Sequence, residues 1–166
     1  MNFDITYAYS PEFSKIVPRQ FLILRNGWSS ILLWGLLSIG GLVTSFSLSP
    51  SYHWVGGYLI AFVINYILQL VRYVQSAEKS AKELLNKSIS VKFNDESVTF
   101  QSEDHMSISK WKRFSQVWIT KDAWLFFLYS TDSYTAIPTS CISEELERFI
   151  LSKVSNDRTR DYRRQK

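Results

Sequence analysis

The side chains of this sequence with ready chemistry are two histidines, His53 and His105, and one cysteine, Cys141. A metal site needs three or four such ligands at close spacing, and neither Cys-x-x-Cys nor His-x-x-x-His occurs. His53 lies in a turn between two apolar runs and His105 in a connection between strands. The topology argued below puts them on opposite sides of a membrane, where they cannot share an ion. Cys141 follows Pro138 just before a helix start. A thiol nucleophile needs a base beside it, and the spacing brings no histidine to that place, so the cysteine reads as structural. The acidic pair Glu103-Asp104 falls in a turn and reads as solvated. No glycine-rich loop suited to cradling phosphate is present. The sequence therefore points away from an enzyme. No catalytic residue, cofactor or metal is expected, and the function is expected to rest on binding.

The elements that would position binding residues follow from a sharp change in composition. Between Arg25 and Arg72 there is no Asp, Glu, Lys or Arg, whereas the chain after Arg72 is densely charged. One helix crosses the hydrocarbon core with roughly 20 residues, so this stretch accommodates two crossings and a turn. Ser47, Ser49, Pro50, Ser51 and His53 interrupt the apolar run, which places the spans at about Trp28 to Leu48 and Tyr52 to Val71. Trp28, Tyr52, Trp54 and Tyr73 fall near the span ends, as interfacial aromatics do. Lys15, Arg19 and Arg25 precede the first span, Arg72, Lys79, Lys82 and Lys87 follow the second, and the loop between has no basic residue. Basic residues mark the cytoplasmic side, so both termini are expected there. A lone cysteine precludes a disulfide framework within one chain and fits a reducing compartment. Asp4, Pro11, Glu12 and Pro18 near the start do not resemble a cleavable signal.

Small residues recur in the spans. Gly40/Thr44, Gly41/Ser45 and Gly57/Ala61 have the spacing that lets helix backbones approach. Packing of the two spans on each other and oligomerisation through the same faces are both open. Asn65 and Gln69 lie one turn apart, with Asn65 near mid-span, where a polar side chain faces protein or water.

Outside the spans the periodicity changes twice. Phe3, Ile5 and Tyr7 alternate with polar residues, the pattern of a half-buried strand within residues 1–10. Ser10-Pro11-Glu12 reads as a helix start. Residues 11–27 are expected as a helix in the membrane surface, broken or kinked at Pro18, feeding the hairpin of 28–71. Residues 72–87 are expected to extend the second helix as a stalk, with Glu78/Lys82 and Glu83/Lys87 in the favourable order. From Ser88 a period of two returns in Ile89, Val91 and Phe93, then in Val98 and Phe100, then in Met106 and Ile108. Trp111, Phe114 and Val117 suggest one helical turn entering a strand, and the continuous apolar run from Trp124 to Tyr129 suggests a central strand. Tyr134 to Ile137 closes an antiparallel meander. Ser143-Glu144-Glu145 starts a last helix whose apolar face is Leu146, Phe149, Ile150 and Val154. That bounds a domain of 88–156, followed by a basic tail of 157–166 too polar to fold alone. The domain is mildly acidic and the basic excess lies beside the spans and in the tail. A nucleic-acid binder carries its positive field on a folded face, so no nucleic-acid partner is expected.

Two spans followed by strands, then Ile108-Ser109-Lys110-Trp111 with Phe114 and Val117, an aromatic strand, Ala136-Ile137-Pro138 and Ser143-Glu144-Glu145 form a pattern that resembles the YcxB-like family of bacterial membrane proteins. Its most specific part is about 108–150. The resemblance implies an α+β membrane protein of the bacterial inner membrane: a two-helix transmembrane hairpin plus a cytoplasmic, pleckstrin-homology-like antiparallel sheet closed by a C-terminal helix. The N-terminal strand would join that sheet. The family has no established catalytic residues, so none is carried over. Some small membrane proteins of this general type stand beside bacterial toxins as immunity proteins, a role the resemblance implies as one possibility.

The expected function is non-enzymatic binding of a protein partner or of further copies at the membrane. Alternatives are a lipid-responsive adaptor and a subunit of an oligomeric transport complex. The partner-binding candidates are Trp118, Trp124, Asn65 and Gln69. The headgroup-binding candidates are Arg72, Lys79, Arg163 and Arg164, since basic residues near anionic lipid gain about 1 kcal/mol each.

Overall fold

The computed structural model describes residues 2–47, 53–83, 85, 87–103, 105–129 and 134–163. The fold is α+β and divides into two compact units, one of residues 1–17 with 82–166 and one of residues 18–81.

The first unit is built of two four-stranded sheets. Strands β1 (Phe3–Ala8), β2 (Ser88–Phe93), β3 (Ser97–Gln101) and β4 (Met106–Lys110) form an antiparallel meander in that spatial order. The N-terminal alternation does make a strand, and it pairs along its whole length with β2, from Phe3 opposite Phe93 to Ala8 opposite Ser88. A 3-10 turn at Trp111–Arg113 then leads into the second sheet, of β5 (Phe114–Ile119), β6 (Ala123–Leu128) and β7 (Tyr134–Pro138). The apolar run forms β6, which lies between β7 and β5. Val91, Phe93, Val98, Phe114, Val117, Phe126 and Ile137 face a common interior. Rings dominate it: Phe126 has Phe114 at 5.7 Å, Phe93 at 6.3 Å and Phe100 at 6.5 Å between centroids. Helix α3 (Glu144–Lys153), numbered after two long helices of the second unit, covers this core with Leu146, Phe149 and Ile150. Its start follows the local sequence. The Ser143 hydroxyl accepts a hydrogen bond from the Leu146 N–H at 3.2 Å, and Glu144, Glu145 and Glu147 occupy the first turn.

Strand β8 (Thr159–Asp161) lies in the segment expected to be an unfolded basic tail. It pairs parallel to β5, with Val117 opposite Thr159 and Ile119 opposite Asp161, and the Tyr162 N–H continues the ladder to the Ile119 carbonyl at 2.8 Å. The folded domain therefore runs past residue 156. A polar segment can do this at a sheet edge because backbone groups, not side chains, make the ladder.

The second unit consists of helical segments. Helix α1 (Pro11–Ser47) begins in the first unit, with the Ser10 hydroxyl accepting from the Phe13 N–H at 3.1 Å, and continues into the second. Its break lies at Gly27, with φ 65° and ψ 164°, and not at Pro18, which sits inside the helix. Glycine takes a positive φ without the Cβ penalty of other residues. The stretches Pro11–Gly27 and Leu32–Phe46 are bent by 74°. Helix α2 (His53–Glu83) runs unbroken and stops short of the expected stalk end at residue 87. Glu78, expected to pair with Lys82, reaches Arg19 at 3.4 Å instead. The Glu83/Lys87 pair falls outside the described side chains. Trp34 stacks on Tyr66 at 4.1 Å and meets Phe62 at 5.4 Å. Gly56 lies against Gly41 and Ser45, so close contact between the helices uses Gly41/Ser45 and Gly56, whereas the space beside Gly57 is open. By length and composition His53–Lys82 is long and apolar enough to cross a membrane, and the bent pair passes the same test when taken as one span.

Candidate functional site

The sequence candidates fall into three environments. Trp118 and Trp124 are buried. Trp118 donates from Nε1 to Gln116 Oε1 at 2.7 Å and lies under the C-terminal segment, with Tyr162 at 5.5 Å and the Arg160 guanidinium 5.8 Å above its ring. Trp124 is fully enclosed on the inner strand β6, and its Nε1–H has no hydrogen-bond partner among the described residues. Neither offers a surface: Trp124 faces the common interior, and Trp118, on the opposite face from Val117 and Ile119, is covered by the C-terminal segment.

Asn65 and Gln69 are exposed on one face of α2, where Gln69 Nε2 donates to Asn65 Oδ1 at 3.0 Å. Each amide keeps further donor and acceptor capacity. Arg72 and Lys79 are exposed farther along the same helix. Arg163 is occupied within the protein: Nη2 lies 2.7 Å from Asp161 and 2.9 Å from Glu147. Those two carboxylates, Asp161 foremost, raise its pKa further above its ordinary value. It clamps the end of β8 to α3 and is a poor candidate for a headgroup. Arg164 lies outside the described residues.

A cleft of about 430 Å³ opens in the first unit between Tyr7, Glu12, Lys121, Asp122, Ser140 and Cys141. Cys141 is half-buried there with Ser140 Oγ at 4.0 Å, and neither histidine lines the cleft. Among the described residues no three potential metal ligands cluster. At its base, the Tyr7 and Tyr9 hydroxyls both donate to the Ala136 carbonyl, at 2.9 and 3.3 Å. Burial raises the Tyr7 pKa well above the usual tyrosine value and that of Tyr9 to about 12. A raised folded-state pKa means that the stability is fully present below about pH 10, the unfolded value, and is lost as pH rises from there. We expect unfolding to become easier above pH 10, by up to about 1.4 kcal/mol per pH unit for each tyrosine. In Tyr7→Phe, denaturant titrations at successive pH values should give a shallower alkaline slope, with about 1 kcal/mol lost at neutral pH with the hydrogen bond.

A surface that periodicity does not single out lies on β4. This strand faces the interior with Ser107 and Ser109, and Met106 and Ile108 point outward, 58% and 56% exposed. Alternation defines two faces but not which is inside; the register of Phe100 opposite Ser107 decides that.

Comparison with protein families bears on this domain. Residues 93–153 match the family model described as YcxB-like protein. The model that matches is that of the family the sequence resembles, and the matched segment runs from the end of β2 through α3. It contains β4 and its exposed apolar pair, whereas β1, β8 and the long helices lie outside the match. The chain matches no curated protein and no solved structure.

Proposed function

We propose that this protein is a non-enzymatic interaction module anchored in the bacterial inner membrane by two spans, its YcxB-like domain on the cytoplasmic side holding a protein partner. The observation that carries the anchoring is the uncovered apolar surface of the long helices. Phe46 is 83% exposed, Trp54 72% and Leu36 67%, and Leu32, Tyr58 and Phe62 are also bare. Leaving such side chains in water costs about 25 cal/mol per Å² relative to burial, and lipid removes that cost. The small polar side chains of the first span agree with this reading, because they bond their own helix: Ser38 to the Trp34 carbonyl at 2.8 Å, and Ser45 to that of Gly41 at 2.8 Å. The 74° bend at Gly27 suits a first stretch in the membrane surface feeding a crossing. The two-sheet domain closed by α3 is compatible with a pleckstrin-homology-like fold. Its ring-filled interior and exposed strand edge favour recognition over catalysis. Immunity against a membrane-acting toxin is one concrete form of this function.

Two measurements test the proposal. Alkaline extraction of native membranes should leave the protein in the pellet, and its release would overturn the anchoring. Purification of the full chain in mild detergent should bring down one stoichiometric protein. Anionic lipid retained with no protein would replace the partner reading with a lipid-responsive adaptor.

A further inference from the structure

We infer that two copies of this chain pair through the free edges of β4, antiparallel and centred on Ile108. The strand ends its sheet, so its outer row of N–H and C=O groups meets no other strand among the described residues. An open edge with outward apolar residues is a template for strand addition. Met106 and Ile108 make this one apolar, whereas the residues beside them on the same face of the neighbouring strand β3 are Gln101 and Thr99.

Charge selects the occupant. Glu103 and His105 precede the strand, and Lys110, Lys112 and Arg113 end or follow it, all exposed. No ion pair joins Glu103, Lys110, Lys112 or Arg113 to a described residue, and Arg113 lies 5.8 Å over the exposed Tyr129 ring. An antiparallel second copy brings the acidic end of each strand to the basic end of the other. With Ile108 on the two-fold axis, Met106 faces Lys110 of the second copy and Ser107 faces Ser109. Glu103, in the turn that precedes each strand, then lies at the end where Lys112 and Arg113 follow the strand of the other copy. A parallel arrangement would set basic end against basic end, which is destabilising between directly opposed strands. Complementary ends fix direction and register, and the backbone ladder with the apolar pair supplies the contact. Such an interface is isologous and closes after two copies, so it does not propagate into a fibre.

Cysteine cross-linking of the full chain in its own membrane tests this pairing. In a Cys141→Ser background, Ile108→Cys should give a disulfide-linked dimer under mild oxidation, and Thr6→Cys on the opposite edge strand β1 should not. Reversing the acidic end with Glu103→Lys should lower the dimer yield severalfold. Adding Lys112→Glu and Arg113→Glu should restore it, which simple misfolding would not allow. Absence of the Ile108→Cys dimer, equal linkage through Thr6→Cys, linkage to a different protein, or no rescue by the double reversal would each overturn the pairing. None of these outcomes depends on the two spans, so failure here leaves the anchoring intact.

Discussion

Replacing Phe126 by Ala should cost the two-sheet domain about 3–5 kcal/mol, the range for deleting a fully enclosed aromatic ring. Phe126 has no exposed surface and lies where the two sheets and the turn between them converge. Four rings surround it within 6.5 Å: Phe93, Phe100, Phe114 and Trp124. Removing the ring loses its transfer free energy and leaves a cavity whose walls come from both sheets, so no single strand can move in to fill it. A domain of this size has a total stability of about 5–15 kcal/mol, so the loss takes a large share of it. Denaturant titration of the full chain in detergent, followed by near-ultraviolet circular dichroism, measures the effect. Phe126→Leu keeps most of the volume and should cost clearly less. A loss under about 1 kcal/mol for Phe126→Ala would mean that the ring cluster is not what holds the sheets together.

The parts of this fold legible in the sequence are those where side-chain pattern alone determines structure. Ile89, Val91 and Phe93 are buried as their alternation requires, and the apolar run from Trp124 is the middle strand. Ser143 caps the last helix through its own hydroxyl, and Ser10 caps the first long one. Features fixed by tertiary placement were not legible. Strand β8 carries Thr159, Arg160 and Asp161, which give no strand signal because the ladder to β5 is made by backbone groups. Arg163 reads as one more charge of a basic tail until Glu147 and Asp161 close on it. Trp124 and Trp118 read as candidate contacts until the inter-sheet core encloses the first and the C-terminal segment covers the second. Met106 and Ile108 show the converse: strict alternation in an edge strand suggests an apolar inner face, yet Ser107 and Ser109 take it.

Gly56→Ala should loosen the helical hairpin far more than Gly57→Ala, although the two glycines are neighbours and only Gly57 belongs to the small-xxx-small pair of this helix. A Cβ built on Gly56 meets Ser45 Oγ and stands 2.7 Å from the Gly41 carbonyl oxygen and 2.8 Å from the Ser45 amide nitrogen. Two of those atoms are backbone, which moves only if the helices separate. Overpacking of this kind costs about 1–3 kcal/mol, occasionally more. A Cβ on Gly57 meets nothing within 4 Å. There the helix propensity of alanine, up to about 1 kcal/mol better than glycine, acts unopposed. Heating both variants in the same detergent should therefore lower the unfolding midpoint for Gly56→Ala and leave it level or raised for Gly57→Ala. The spacing of small residues cannot predict this order, because a repeat at four residues marks a face of one helix without saying what faces it. Gly41 and Ser45 on the preceding helix supply that information. If Gly57→Ala proves the more damaging in the intact protein, its open face is covered by another helix, and the amides of Asn65 and Gln69, exposed farther along α2, become the next residues to substitute.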